Sequence, residues 1–377
     1  MEYENKDRKR GVSGIMRIKN DAQFIEASVA SCISALDELI IVWNDCSDKS
    51  AEVIKEMSKR YPDKIRAFEY TPKIYSINLT REEYEYAKSL PNDSPHLLSN
   101  YYNFALSKIK YEFALKIDAD QIYFTEKLKK WCDIYRSGSA ACNYKVILGG
   151  FVWLYFKCMK NLGNKLGRLL PLFGKQIGGT LYKSYIEYAK YMISNHNFQV
   201  SLSGLNMVFV NKKWHVTIGK CTDIVNILPP YNGTGDHLIF KATKNTCYKP
   251  FDSEDYNIQR SDRYSLIEQF VGDNYPIPVG TFWFHLNTMR PQALSKLEQV
   301  FKDNPSSFID VEKFVNLDYY NDLDKQVDKK IASTNVRALF QFLHVTEGSD
   351  DIVKNINQIK KFEKQNYGIC LSNSSNL

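Results

Sequence analysis

The sequence predicts an α/β protein built on a doubly wound, mostly parallel central sheet flanked by helices. Three observations carry that prediction. Strand-like and helix-like segments alternate through the first third of the chain, the strand segments are near-continuous apolar runs, and each run ends on polar residues. GIMRIK (14–19) reads as the first strand, and AQFIEASVASCISAL after it repeats apolar residues at helical spacing. ELIIVWN (38–44) reads as a buried strand. The helix in SDKSAEVIKEMSKRYP follows, with Ser47 or Asp48 at its N-terminus and Pro62 beyond its end. IRAFEY (65–70) is the third strand, and SNYYNFALSKI is a helix leading into a fourth strand, YEFALKI. Sheets of this kind bind ligands beyond the carboxyl ends of their strands, so the loops after Lys19, Asn44, Tyr70 and Ile117 are expected to converge on one crevice.

Later segments change character. Residues 151–195 are aromatic, basic and punctuated by glycine, and read as an insertion with short helices. VSLSGLNMVFV, WHVTIG and PIPVGTFWFHL are strand-like, with the turn-rich PPYNGTGDH among them. From residue 291 onward QALSKLEQVFKD and DDIVKNINQIKKFEK have helical periodicity, ahead of a tail, SNSSNL, expected to fray. The chain is therefore divided into residues 1–140, residues 141–290 carrying the insertion, and a helical C-terminal extension, 291–377.

A length of 377 residues with 44% hydrophobic composition suffices for a sizeable core without disulfide staples. The eight cysteines are scattered, with no CxxC pair and no zinc spacing, as in a reducing, cytoplasmic protein. MEYENKDRKR lacks the apolar stretch of a signal peptide, and VILGGFVWLYF (146–156) is too short to span a bilayer. The net charge is +7, but between Phe151 and Asn195 Lys157, Lys160, Lys165, Arg168, Lys175, Lys183 and Lys190 face Glu187 alone. Clustered charge of this kind argues against nucleic acid. Basic residues among Phe, Trp, Tyr and Leu suit a peripheral membrane contact on the inner face of the cytoplasmic membrane, or else a solvated insertion covering the active site.

In KIDADQIYF (116–124) the fourth strand ends on Asp118 and Asp120. Two unpartnered carboxylates in one crevice repel, and a divalent cation that also bridges a diphosphate removes that cost. The alternative is a surface loop whose acids cap the helix near Thr125. In WNDCSD, Asp45 is placed to accept hydrogen bonds from a base or ribose, or is a turn former beside Asn44.

These strings carry a resemblance. GIMRIKND, IIVWNDCSDKSAEVI and LLSNYYNFALSKIKYEFALKIDAD resemble the nucleotide-sugar half of GT-A glycosyltransferases. They are most similar to bacterial lipooligosaccharide β-1,4-N-acetylgalactosaminyltransferases, over roughly residues 12 to 130. The resemblance implies a GT-A fold with the nucleotide-sugar site in residues 1–140 and the acceptor side in 141–290. It also implies a UDP-sugar donor, Mn²⁺ or Mg²⁺ on the DxD motif, and inverting transfer of a hexose or N-acetylhexosamine to a surface glycan such as lipopolysaccharide, lipooligosaccharide or capsule. By position, Arg17, Lys19 and Asn20 border the nucleotide pocket, Asp45 binds uracil or ribose, Tyr70 packs on the uridine, and Asn103 lines the donor site. Asp118 and Asp120 bind ribose and metal. His285 is a third metal ligand, and Arg290 is placed to neutralise the diphosphate.

Inversion requires a carboxylate base, for which Asp236 in YNGTGDHLIF is the candidate, presented at the start of a buried helix; an ordinary N-cap is the plainer reading. His237 either orients the acceptor or is a structural histidine, and a lone His285 among aromatics also reads as core. Ser203, Gly204 and Asn206 of SLSGLN line the acceptor side or form strand edge and turn. The rival functions are a retaining transferase, which needs no Asp base, and a non-catalytic glycan-binding protein. A nucleotidyltransferase lacks its expected glycine-rich loop after the first strand.

Overall fold

The computed structural model describes residues 8–168, 170, 175–218, 230–233, 236–252, 264–317, 334–347 and 350–366. The tail SNSSNL and residues 234 and 235 before Asp236 lie outside them. The expected alternation is present as β1 (Lys9–Ile18), α1 (Ala22–Cys32), β2 (Glu38–Trp43), α2 (Ser50–Arg60), β3 (Ile65–Glu69), α3 (Arg81–Ser89), α4 (Leu98–Ser107) and β4 (Tyr111–Asp118). β1 pairs in parallel with β2 and β4, and β2 with β3, so the spatial order is β3-β2-β1-β4. Both faces of β1, β2 and β4 are buried. Leu39 and Ile41 of β2 enter one core while Ile40 and Val42 enter another, and β4 sends Phe113, Leu115 and Ile117 to the first and Ala114 to the second. A strand covered on both faces needs apolar residues at nearly every position, hence the unbroken runs in the sequence.

After β4 the chain forms β5 (Gln121–Tyr123), α5 (Thr125–Ser137), α6 (Tyr144–Lys165), α7 (Lys175–His196), β6 (Val200–Val210), β7 (Lys213–Thr217), β8 (Tyr231–Asn232) and β9 (Leu238–Lys241). β9 lies antiparallel between β4 and β6 and extends the parallel half into a mixed one. Asp236 thus precedes a strand, where a helix was expected: LIFK is only four residues long, and its backbone completes the ladder between two longer strands. The basic aromatic segment also differs from expectation. In place of short helices, its residues up to Lys165 and from Lys175 onward belong to two 22-residue helices, α6 and α7. They pack closely at Gly149, where a Cβ would stand 2.1 Å from the Ser184 carbonyl oxygen.

The remaining elements are β10 (Cys247–Asp252), β11 (Leu266–Val271), β12 (Ile277–His285), α8 (Pro291–Asp303), β13 (Phe308–Asp310), α9 (Val311–Phe314), α10 (Thr334–Glu347) and α11 (Asp350–Asn366). β10 and β11 form a separate antiparallel pair, while β12 joins the main sheet parallel to β6 and antiparallel to β5. Beyond residue 291 the chain is not helical throughout, because β13 adds an edge strand to β7. The C-terminal helices pack into the body: Phe362 of α11 stacks on Phe24 of α1 with ring centroids 5.9 Å apart, and Phe342 of α10 meets Phe156 of α6 at 4.3 Å.

Two positions test this packing. A Cβ on Gly204 would stand 2.0 Å from Nε1 of the fully buried Trp283, which donates to Asn232 Oδ1 at 3.1 Å. Gly204→Ala is expected to cost at least about 1–3 kcal/mol by overpacking, read as a lowered urea midpoint; an unchanged midpoint would show that the indole moves freely. Lys127 of α5 is bound by Asp351 of α11 at 3.0 Å and by the Thr281 carbonyl at 2.9 Å. Burial outweighs Asp351 and lowers the Lys127 ammonium pKa to about 8. Between that value and the ordinary lysine value the unfolded chain holds more protons, so this group makes stability rise with pH from about 8 to about 10. The rise is expected to be up to about 3 kcal/mol relative to Lys127→Met, and parallel pH profiles for the two proteins would refute it.

Candidate active site

The carboxyl ends of β1, β2 and β4 meet because these strands are parallel neighbours in register, with Arg17 beside Val42 and Asp118. Asn20 and Asp45 leave β1 and β2 in the left-handed region, with φ of 57° and 44°. Asn and Asp tolerate that conformation better than most residues. Their loops are tied together: Asn20 Oδ1 accepts from the Ser47 amide at 2.8 Å, and Lys19 Nζ donates to Asp45 Oδ2 at 3.1 Å. Asp48 fastens two helix starts, accepting from the amides of Ala22 at 3.0 Å and Ser50 at 2.9 Å. Asp45 itself remains largely exposed.

Asp118, which ends β4, and Asp120, in the turn beyond it, do not share one neighbour. Asp118 Oδ2 lies 3.0 Å from His237 Nε2, whereas Asp120 Oδ1 lies 3.5 Å from His285 Nε2 and Asp120 Oδ2 accepts from Arg290 at 2.9 Å. Arg290 also bonds Asp21 and Asn287. Burial disfavours both carboxylates. Lys116 and His237 nevertheless hold Asp118 well below its ordinary pKa, and His285 and Arg290 do the same for Asp120. For Asp21 burial wins over Arg290, and its carboxyl is pushed up. His285 Nδ1 donates to Asn206 Oδ1 at 2.6 Å. With Nδ1 so engaged, Nε2 faces Asp120: the protonated ring pairs with the carboxylate, and the neutral ring turns a lone pair toward it.

Asp236 is held by Lys116, a residue to which the sequence motifs assign no role. Lys116, 2% exposed, donates to both Asp236 oxygens at 2.7 Å and to Glu268 at 2.9 Å, beneath the Tyr102 ring. Burial raises the Asp236 pKa, but Lys116 and then His237 outweigh it and keep the carboxylate ionised. The side chain is half exposed, so lone pairs not used by Lys116 face outward. His237 joins the two acids: its buried Nδ1 makes no hydrogen bond and sits 3.5 Å from Asp236 Oδ2. Its ring packs 4.8 Å from Trp283. Arg17 lies over Tyr102 and Tyr101, with ring centroids at 5.1 and 5.8 Å. Burial opposes its charge, but Tyr102, Glu268 and Asp118 reverse the effect and raise its pKa.

Two expected donor-site residues are used elsewhere. The Tyr70 ring is buried against Tyr101 and Phe104 at 4.9 and 5.0 Å, and its hydroxyl donates to the Pro95 carbonyl, so the side chain is engaged in core packing. Asn103 donates to the Tyr248 carbonyl at 2.9 Å and accepts from its amide at 2.8 Å, which clips β10 to α4 and occupies both ends of the amide. Gly204 makes room for Trp283, Ser203 is fully buried, and Asn206 orients His285. Lys116 had one readable signal, a lysine within an apolar strand two residues before Asp118 and therefore on the same face. Asp21 and Glu268 had none, because their partners come from distant segments.

Removing the cation of a buried cluster leaves its acids uncompensated. Lys116→Met is expected to lose about 3–5 kcal/mol in urea unfolding, with part regained when Glu268→Gln is added. A loss below about 1 kcal/mol would mean that the cluster is effectively solvated.

Solved structures similar to parts of this chain include Staphylococcus aureus TarS 1–349 in complex with UDP, at 18% identity and TM-score 0.22 over 33% of this chain and 31% of that one. Glucosyl-3-phosphoglycerate synthase from Mycobacterium tuberculosis, in complex with Mn²⁺, UDP and glucosyl-3-phosphoglycerate, gives 16% identity and TM-score 0.20 over 31% and 35% of the two chains. The chain thus spans about a third of the length of these structures. No curated protein sequence matches it. Residues 2–168, which contain β1 to β4 and both acids of KIDAD, match the beta-1,4-N-acetylgalactosaminyltransferase (CgtA) family.

Proposed function

We propose that the chain is a glycosyltransferase that moves a hexose or N-acetylhexosamine from a UDP-sugar to a bacterial surface glycan with inversion, Asp236 acting as the base. The observation that carries this reading is Asp120 at the carboxyl end of β4, faced by His285 Nε2 at 3.5 Å and Arg290 at 2.9 Å within the segment array that the family match begins.

The donor set suits a divalent cation. With His285 neutral, a carboxylate oxygen and an imidazole lone pair point at each other, an arrangement that a proton or metal ion relieves. Mixed nitrogen and oxygen ligands favour Mn²⁺ over Mg²⁺. Among the described residues no group of three or more His, Cys, Asp or Glu side chains is placed to hold an ion. Asp118 is engaged by His237, so Asp120 and His285 are the protein ligands proposed and Asp118 is left to the ribose. When bound, the ion would offset charge on the departing UDP.

The side chains supply the rest. Arg290 presents guanidinium donors beside Asp120, where diphosphate oxygens would lie. Exposed Asp45 and Lys19, with Asn20 bracing their loops, form the nucleoside edge. Lys116 keeps Asp236 anionic, and the outward lone pairs of that carboxylate take the proton of the acceptor hydroxyl as it attacks the anomeric carbon. The acceptor is proposed to be an oligosaccharide or lipid-linked glycan.

Asp236→Asn is expected to retain a thermal shift with UDP and Mn²⁺ while transfer from UDP-N-acetylgalactosamine, the first donor to test, falls at least about 100-fold. Asp120→Ala is expected to lose the Mn²⁺-dependent part of the shift. Anomeric NMR of the product decides the stereochemistry: retention of configuration, or full activity in Asp236→Asn, removes Asp236 as base.

A further inference from the structure

The long helix α6 is buried on one side and apolar on the other. Val146, Gly149, Val152, Phe156 and Gly163 face the body, where Phe156 meets Phe342. On the opposite side Tyr144, Leu148, Phe151, Tyr155, Leu162 and Leu166 are exposed, Tyr144 by 73% and Phe151 by 65%. Their spacing places them on one stripe, and with Ile147 and Leu154, also exposed, they span an arc of roughly 120° at 3.6 residues per turn. A stripe of this length on a water-facing helix marks an interaction surface.

The charge around the stripe selects the occupant. Lys145, Lys165 and Arg168 are exposed, Lys157 and Lys160 lie on the flank against Tyr275, and the sequence has no acidic residue between Asp133 and Glu187. A second copy docked stripe to stripe would bring lysines together with no carboxylate from α6 to pair them. An anionic lipid surface supplies the missing charge and accepts the apolar side chains. No helix among the described residues is long and apolar enough to cross a membrane.

We propose that the exposed stripe of α6 (Tyr144–Leu166) is a membrane-surface docking site that lies in the headgroup region of an anionic bilayer. The sequence had centred this contact on residues 151–195; the structure moves it toward the start of α6, with Leu166 just past the helix end. The surface stands independently of the transferase reading.

The test uses the full chain with sedimented vesicles of phosphatidylcholine alone or with phosphatidylglycerol. Wild type is expected to pellet with the phosphatidylglycerol vesicles and to be released by 1 M salt, where screening shortens to about 3 Å. Phe151→Ser with Leu162→Ser is expected to lower partition by at least roughly tenfold at an unchanged melting temperature. Lys165→Gln with Arg168→Gln is expected to weaken binding to the anionic vesicles alone. Wild type remaining in the supernatant, or equal retention of the Phe151/Leu162 variant, overturns the proposal. So does a concentration-dependent dimer by light scattering that the same variant abolishes, which would assign the stripe to a second copy.

Discussion

The constraint on which the site depends is the burial of charge at the end of β4. Lys116 is buried within a sheet covered on both faces, Asp120 is buried in the turn that follows β4, and Asp118 is largely enclosed between them. Charges in such surroundings cost several kcal/mol each unless partners of opposite sign arrive with good geometry. Each therefore requires a group from elsewhere in the chain: Asp236 and Glu268 for Lys116, His237 for Asp118, and His285 with Arg290 for Asp120. These partners come from the β9 loop, β11 and the β12–α8 junction, so closing the sheet and completing the charge network are one event. A fold that left β9 or β12 unpaired would strand charge in the interior.

The same network sets what each acid can do. Asp120 is shared between a histidine whose Nε2 faces it and an arginine that bonds it directly, an environment suited to binding negative charge carried by a ligand together with a cation. Asp236 differs, being half exposed and anchored from beneath by a buried ammonium. A carboxylate held this way stays ionised at neutral pH and keeps a fixed direction. Its basicity is lowered by the same ammonium, so position rather than proton affinity would carry its part in the proposed reaction.

The helical additions serve the sheet in different ways. α11 covers α1 through Phe362 and Phe24 and pins α5 through Asp351 and Lys127. α6 and α7 form a close pair at Gly149, and α10 seals their inner side through Phe342. This leaves the outer side of α6 as the exposed apolar surface beside lysines.

The sequence by itself determined the parallel half and the loops that gather at its carboxyl ends. Period-two burial on both faces forces continuous apolar runs, and the polar residues that end them, Lys19 and Asn20, Asn44 and Asp45, Asp118 and Asp120, fall at the strands' carboxyl ends by chain order alone. It also marked His285, Arg290 and Asp236 as residues to watch. Only the tertiary structure decided which of these meet. Asp118 and Asp120, two residues apart, turn to different histidines, while Arg290 and Asp21, far apart in sequence, join. Tyr70 and Asn103 read like pocket residues but are consumed by packing and by the β10 clip, because local sequence says where a side chain starts and not what lies opposite it. Strand β9 is illegible in the sequence for the same reason: four residues carry no period, and the ladder between β4 and β6 is what makes them a strand.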